Sequence, residues 1–94
     1  MRLIGLNTLH DFCEKHADCR PWIESWIADV KPAKWKSLND LKERYPSASI
    51  LTEHVVIFNV KGNSYRMSVQ VAIKVQIVAI KWIGTHAEYS RKIF

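Results

Sequence analysis

Up to about residue 45 the apolar positions recur at helical spacing; after residue 54 they alternate. Met1 to Gly5 predicts a short strand with Leu3, or Leu3 and Ile4, facing inward. Thr8 is placed to cap a first helix, with Asp11 at its third position and Leu9, Phe12, Cys13 and His16 at helical spacing. A second helix starts near Pro21, a residue suited to a first helical position, and ends at Lys31-Pro32. Trp22, Ile23, Trp26, Ile27 and Val30 give it a broad apolar face. Ser37 caps a third, short helix with Asp40 in a capping box, and Pro46 closes it.

Val55 to Val60 is then a β-branched and aromatic run, and Lys61-Gly62-Asn63 is a turn. In Ser64 to Val71, Tyr65, Met67, Val69 and Val71 point one way, and Ser64, Arg66, Ser68 and Gln70 the other. That is a strand with a core face and a wet face. Gln76 to Ile83 is a further strand, which Gly84 breaks. Ala72 to Val75 holds no usual turn residue, so the hairpin there is either tight and unusual or has long arms. His86 to Arg91 forms a last helical turn. Helices followed by consecutive strands predict an α+β fold, with N-terminal helices packed on one face of a small antiparallel β-sheet. Residues 1–94 suit one domain.

Composition adds a location and a partner class. No apolar run approaches the roughly 20 residues that span a bilayer. Met1 to His10 lacks the long apolar segment of a signal peptide. A cytoplasmic protein with no membrane partner is expected, with Cys13 and Cys19 as reduced thiols. Residues 1–53 carry eight acidic and eight basic side chains; residues 54–94 carry six basic ones and a single acid, Glu88. The whole excess of +5 thus lies in the second half. It fits a nucleic-acid phosphate backbone, or a basic surface kept for solubility.

Four stretches in order resemble the HigB family of toxins within the RelE-like group. They are Trp35-Lys36-Ser37 with Asp40-Leu41-Lys42; Tyr45-Pro46-Ser47-Ala48-Ser49; Val56 through Arg66; and Gly84-Thr85-His86-Ala87-Glu88-Tyr89. The resemblance implies a RelE-like fold and an endoribonuclease that cleaves messenger RNA, usually on the translating ribosome, so inhibiting translation and growth. It also implies neutralisation by a HigA-type helix-turn-helix antitoxin. RNA is cleaved when its own 2′-hydroxyl attacks the adjacent phosphate, which requires alignment, charge neutralisation and proton transfer, and needs no metal or other cofactor.

Arg66 is the first choice for phosphate stabilisation, since its planar donors suit phosphate and alternation sets it on the wet face. Imidazole as a side-chain class has an unperturbed pKa near neutrality, which makes His86 the natural proton-transfer group. Tyr89, three residues on, stacks on a base, assists proton transfer, or closes the core. Lys61, Asn63, Lys81 and Lys36 are candidate RNA-backbone binders; Lys81 sits mid-strand with its face undetermined. Glu88 is a poor base beside phosphate. Tyr65 alternates onto the core side.

His10, Cys13, His16 and Cys19 recur every third residue, which imitates a zinc site. On a helix such steps drift to opposite faces, so core and surface roles are expected instead. The stripe of Trp22 and Trp26 reads as core, with part of it open to an antitoxin. Where the family continues its last motif with an acid, Ser90 stands here. A non-catalytic RNA-binding or degenerate toxin module is the competing reading, and a protein-interaction module a third.

Overall fold

The structure, a computed structural model, describes residues 1–92. Strand β1 (Arg2–Ile4) leads into α1 (Leu6–Lys15), and a 3-10 turn (Ala17–Cys19) feeds α2 (Arg20–Val30). Helix α3 (Leu38–Arg44) precedes β2 (Ser49–Ile50), β3 (Val55–Val60), β4 (Tyr65–Ala72), β5 (Ile77–Thr85) and the short α4 (His86–Ser90). The sheet order is β1-β5-β4-β3-β2. β2 to β5 pair antiparallel, but β1 runs parallel to β5, with Leu3 opposite Val78. The sheet is therefore mixed, a correction to the purely antiparallel expectation. Its cause is connectivity: β1 is joined to β5 through every element from α1 to β4 and not by a hairpin.

The first helix begins earlier than Thr8 implies. Gly5 is its N-cap, at φ 90°, and Thr8 is already helical. The chain must leave β1 and enter α1 within one residue, which only glycine does without strain. A Cβ on Gly5 would lie 2.8 Å from the Ile80 carbonyl oxygen. Gly5→Ala is accordingly expected to cost at least about 1–2 kcal/mol of stability in chemical denaturation. Ser37 does cap α3, its hydroxyl accepting from Asp40 N at 3.4 Å, while the Asp40 carboxylate accepts from Lys36 N at 2.8 Å. The helix stops at Arg44, with Tyr45 out of helical backbone at φ −125°, ψ 77° ahead of Pro46.

Alternation fills the core from the sheet side. Val56, Phe58 and Val60 of β3, Tyr65, Met67, Val69 and Val71 of β4, and Val78, Ile80 and Ile83 of β5 share one buried cluster with Leu9, Cys13, Ile23, Trp26, Val30 and Leu41. Phe58 stands edge-on to Trp26 at 5.5 Å and to Tyr45 at 5.2 Å. Leu3 packs against the cluster, whereas Ile4 is exposed.

Two irregularities shape β4 and β5. A bulge pairs Ser68 with Trp82 but Val69 with Ile80, leaving Lys81 as the extra residue. Ile80 and Ile83 therefore both reach the core, although they are an odd number of positions apart. The β4–β5 turn spans 73–76, with Gln76 at φ 57° in the place a glycine usually takes. Its side-chain Nε2 donates to the Ile73 carbonyl at 2.6 Å and to that of Trp35 at 2.8 Å. Those bonds hold a conformation that the sequence does not announce. Nor does Gly84 break β5: it pairs with Arg66 inside the strand, and the Trp82 indole occupies the space its side chain would take.

Candidate functional site

Arg66, Ser68 and Gln70 lie on the sheet face opposite the core cluster, beside Asn59 of β3 and Trp82 and Gly84 of β5. Arg66 Nη1 donates to the carbonyls of Asn63 and Tyr65, both at 3.2 Å. Its guanidinium stands over the Tyr89 ring, 5.9 Å from the centroid. Among the described residues the ion pairs are Arg44–Asp29 and Lys61–Asp18, so no carboxylate neutralises Arg66. The result is a cation steered by carbonyls and an aromatic face, with its charge available to an anion.

Helix α4 brings Tyr89 to this cation. Thr85 caps it in a full capping box: its hydroxyl accepts from Glu88 N at 3.1 Å, and the Glu88 carboxylate accepts from Thr85 N at 2.9 Å. The hydrogen bond from the Thr85 backbone is the chief reason the Glu88 carboxyl lies below its ordinary range. Glu88 thus stays ionised and holds the helix. His86, exposed in the first turn, donates its backbone N–H to the Ser64 carbonyl at 3.2 Å, which ties α4 to the β3–β4 turn. Ser90 Oγ donates back to the His86 carbonyl at 3.0 Å. Tyr89 and Trp82 rings are 6.4 Å apart, so Arg66, Trp82 and Tyr89 form one group.

The remaining candidates divide. Lys81 is exposed and lines a 200 Å³ cleft with Ser68 and Gln70, so the bulge places it on the Arg66 face. Asn63 is exposed in the adjoining turn and lines a 330 Å³ cleft with Asn59 and Tyr45. Lys61 is bound to Asp18 at 2.9 Å, so an RNA phosphate would have to compete with that carboxylate. Lys36 is not brought to the group. It lines a cleft with Ile73 and Gln76, at the far end of β4 from Arg66, roughly 20 Å along the strand.

Asp18 also accepts from the Tyr65 hydroxyl at 2.7 Å, so one carboxylate clasps the 3-10 turn to both flanks of the β3–β4 turn. The Tyr65 hydroxyl first, then the Lys61 ammonium, hold the Asp18 carboxyl below its ordinary range; the Tyr65 phenol is pushed up to about 12, chiefly by that same hydrogen bond. A depressed carboxyl contributes stability above its unfolded pKa and loses it as pH falls through the folded one. Asp18→Asn should therefore lower the melting temperature at neutral pH and flatten its fall between about pH 5 and pH 3, measured by thermal denaturation.

Two participants escape a sequence reading. Trp82 belongs beside Arg66 only because the bulge turns it to that face. His16 packs on Phe12 at 4.3 Å and edge-on to Tyr65 at 5.3 Å, and its charge contributes to lowering the Glu88 carboxyl. The zinc-like spacing that includes His16 gives no sign of this position, because Tyr65 and Glu88 lie 49 and 72 residues away from it. Cys13 and Cys19 are core residues with sulfurs 3.6 Å apart, and burial pushes the Cys19 thiol up to about 12. Among the described residues no three metal-ligating side chains converge, and no helix is long and apolar enough to cross a membrane.

No curated protein matches the chain. A family description does: HigB_toxin, the RelE-like toxic component of a toxin-antitoxin system, matches residues 19–92, which contain α2 to α4 and the whole Arg66–Tyr89 group. The α+β architecture, with four α-helices and a five-stranded mixed sheet among the described residues, is consistent with a small RelE-like fold. By that match the chain belongs to the HigB toxin family, the RelE-like toxic components of toxin–antitoxin systems, and an antitoxin is its implied partner.

Proposed function

We propose that this toxin is an endoribonuclease that cleaves messenger RNA on the ribosome by 2′-hydroxyl attack on the neighbouring phosphate, using no cofactor. The observation that carries the reading is the Arg66 guanidinium, free of any carboxylate among the described residues and seated over Tyr89. Such a cation neutralises charge developing on phosphate oxygens and favours the transition state over the ground state. His86, exposed one helical turn from Tyr89, exchanges the proton of the attacking hydroxyl or of the leaving oxygen. Tyr89 assists proton transfer or stacks on a base, as Trp82 does beside it.

Lys81 and Asn63 hold the RNA backbone on either side of Arg66. Lys61 contributes only if phosphate displaces Asp18, and Lys36, at the far end of β4 from Arg66, stands outside the RNA path in this reading. Residues 1–94 act as one toxin domain in the cytoplasm, restrained by a HigA-type helix-turn-helix antitoxin. Inducible expression in a bacterial host tests the reading. Wild type should arrest growth and fragment messenger RNA, and His86→Ala should slow the fragmentation by about 10²-fold or more. Intact messenger RNA despite abundant soluble protein would leave a binding module in place of an enzyme.

A further inference from the structure

At the end of the molecule remote from Arg66, the α2–α3 connection meets the β4–β5 turn around a cleft of 820 Å³. Arg2, Lys31, Lys34 and Lys36 rim it, and among the described residues no acidic one lines it. None of these four cations belongs to an ion pair among the described residues. The floor is aliphatic: Ala33, Ile73 and Val75, the last 64% exposed. A second cleft of 530 Å³ flanks the same turn and shares Ile73 and Val75, so these two side chains form a ridge between two hollows. Gln76 Nε2, bonded to both the Ile73 and the Trp35 carbonyls, locks the ridge to the basic connection.

We propose that this cleft is the docking site of the antitoxin, and that it takes a segment presenting aliphatic side chains flanked by carboxylates. Charge complementarity selects the carboxylates, since four unpaired cations around one hollow repel one another until an acidic partner arrives. The exposed Val75, beside the half-buried Ile73, selects a protein over RNA. Nucleobases are held by exposed aromatic rings, and the one aromatic residue of this cleft, Trp35, is buried. Because the Gln76 side chain ties the β4–β5 turn to the carbonyl of Trp35, docking costs little backbone ordering of the toxin. The proposal rests on membership of the toxin family and not on the ribonuclease reading.

The test measures binding of the purified full chain to its full-length helix-turn-helix antitoxin, with growth arrest by the toxin alone as a parallel readout. Val75→Asp should weaken binding at least ~30-fold, as for a central interface anchor. Lys34→Glu, exposed in a loop and harmless to the core, should weaken it about 10-fold and lessen its salt dependence. Lys81→Glu, on the Arg66 face, should change the affinity less than about 2-fold. Both cleft variants should still arrest growth when expressed alone. Wild-type affinity in the two cleft variants would overturn the proposal. So would loss of growth arrest with antitoxin binding intact, which would give the cleft to RNA.

Discussion

Replacing Arg66 by alanine is expected to abolish growth arrest and to slow RNA cleavage by about 10²–10³-fold, the usual cost of removing a group that stabilises transition-state charge. Folding should survive the change. The side chain gives two hydrogen bonds to carbonyls of its own turn and one cation–π contact, and it lies on the face away from the core. A melting temperature within a few degrees of wild type would therefore accompany the lost activity. Arg66→Lys refines the result. It keeps the charge but loses the planar pair of donors, so it should recover only part of the rate. A well-folded Arg66→Ala protein that still fragments messenger RNA at the wild-type rate would remove Arg66 from the mechanism.

The second large effect concerns stability. Phe58→Ala should cost about 3–5 kcal/mol, read from denaturant unfolding. Phe58 is 2% exposed and stands edge-on between Trp26 of α2 and Tyr45 at the end of α3, so its loss opens a cavity that two aromatic neighbours cannot both close. Tyr45 is further held by its hydroxyl bond to Asp29 at 2.7 Å, which limits its freedom to move inward. A small domain has a margin of only about 5–15 kcal/mol, so the variant should be substantially destabilised at growth temperature. Toxicity would then fall through loss of folded protein, with the Arg66 group intact in the molecules that remain. Phe58→Leu, which retains most of the volume, should recover most of the loss.

How far the sequence reveals the molecule depends on whether the responsible interaction is local. Alternation through Tyr65, Met67, Val69 and Val71 assigns the core face of β4 and puts Arg66 on the other, because side-chain direction in a strand follows from position alone. Thr85 and Glu88 announce α4 for the same reason: a capping box is closed within four residues. The parallel pairing of β1, by contrast, depends on a partner some 75 residues distant. Thr8 resembles a cap, yet the sharp exit from β1 gives that role to Gly5. Gln76 adopts a glycine-like conformation through two side-chain hydrogen bonds, one of them to residue 35. Net charge is legible only as a sum. The balanced first half hides four cations that the fold gathers around one cleft, although Lys31, Lys34 and Lys36 within six residues already hint at it.

The bulge at Ser68 and Val69 divides β5 into two segments with opposite parity. Up to Ile80 the even-numbered residues enter the core; beyond Lys81 the odd-numbered Ile83 does so, freeing Trp82 and Gly84 for the Arg66 face. Removal of Lys81 alone would erase the bulge and leave Ile80, Trp82 and Ile83 in ordinary alternation, with the two isoleucines inward and Trp82 still on the Arg66 face. The extra residue therefore adds a lysine to the site face without turning any core side chain outward. Deletion of Lys81 should accordingly be tolerated far better than deletion of Val78 or Ile83, which takes a side chain out of the core.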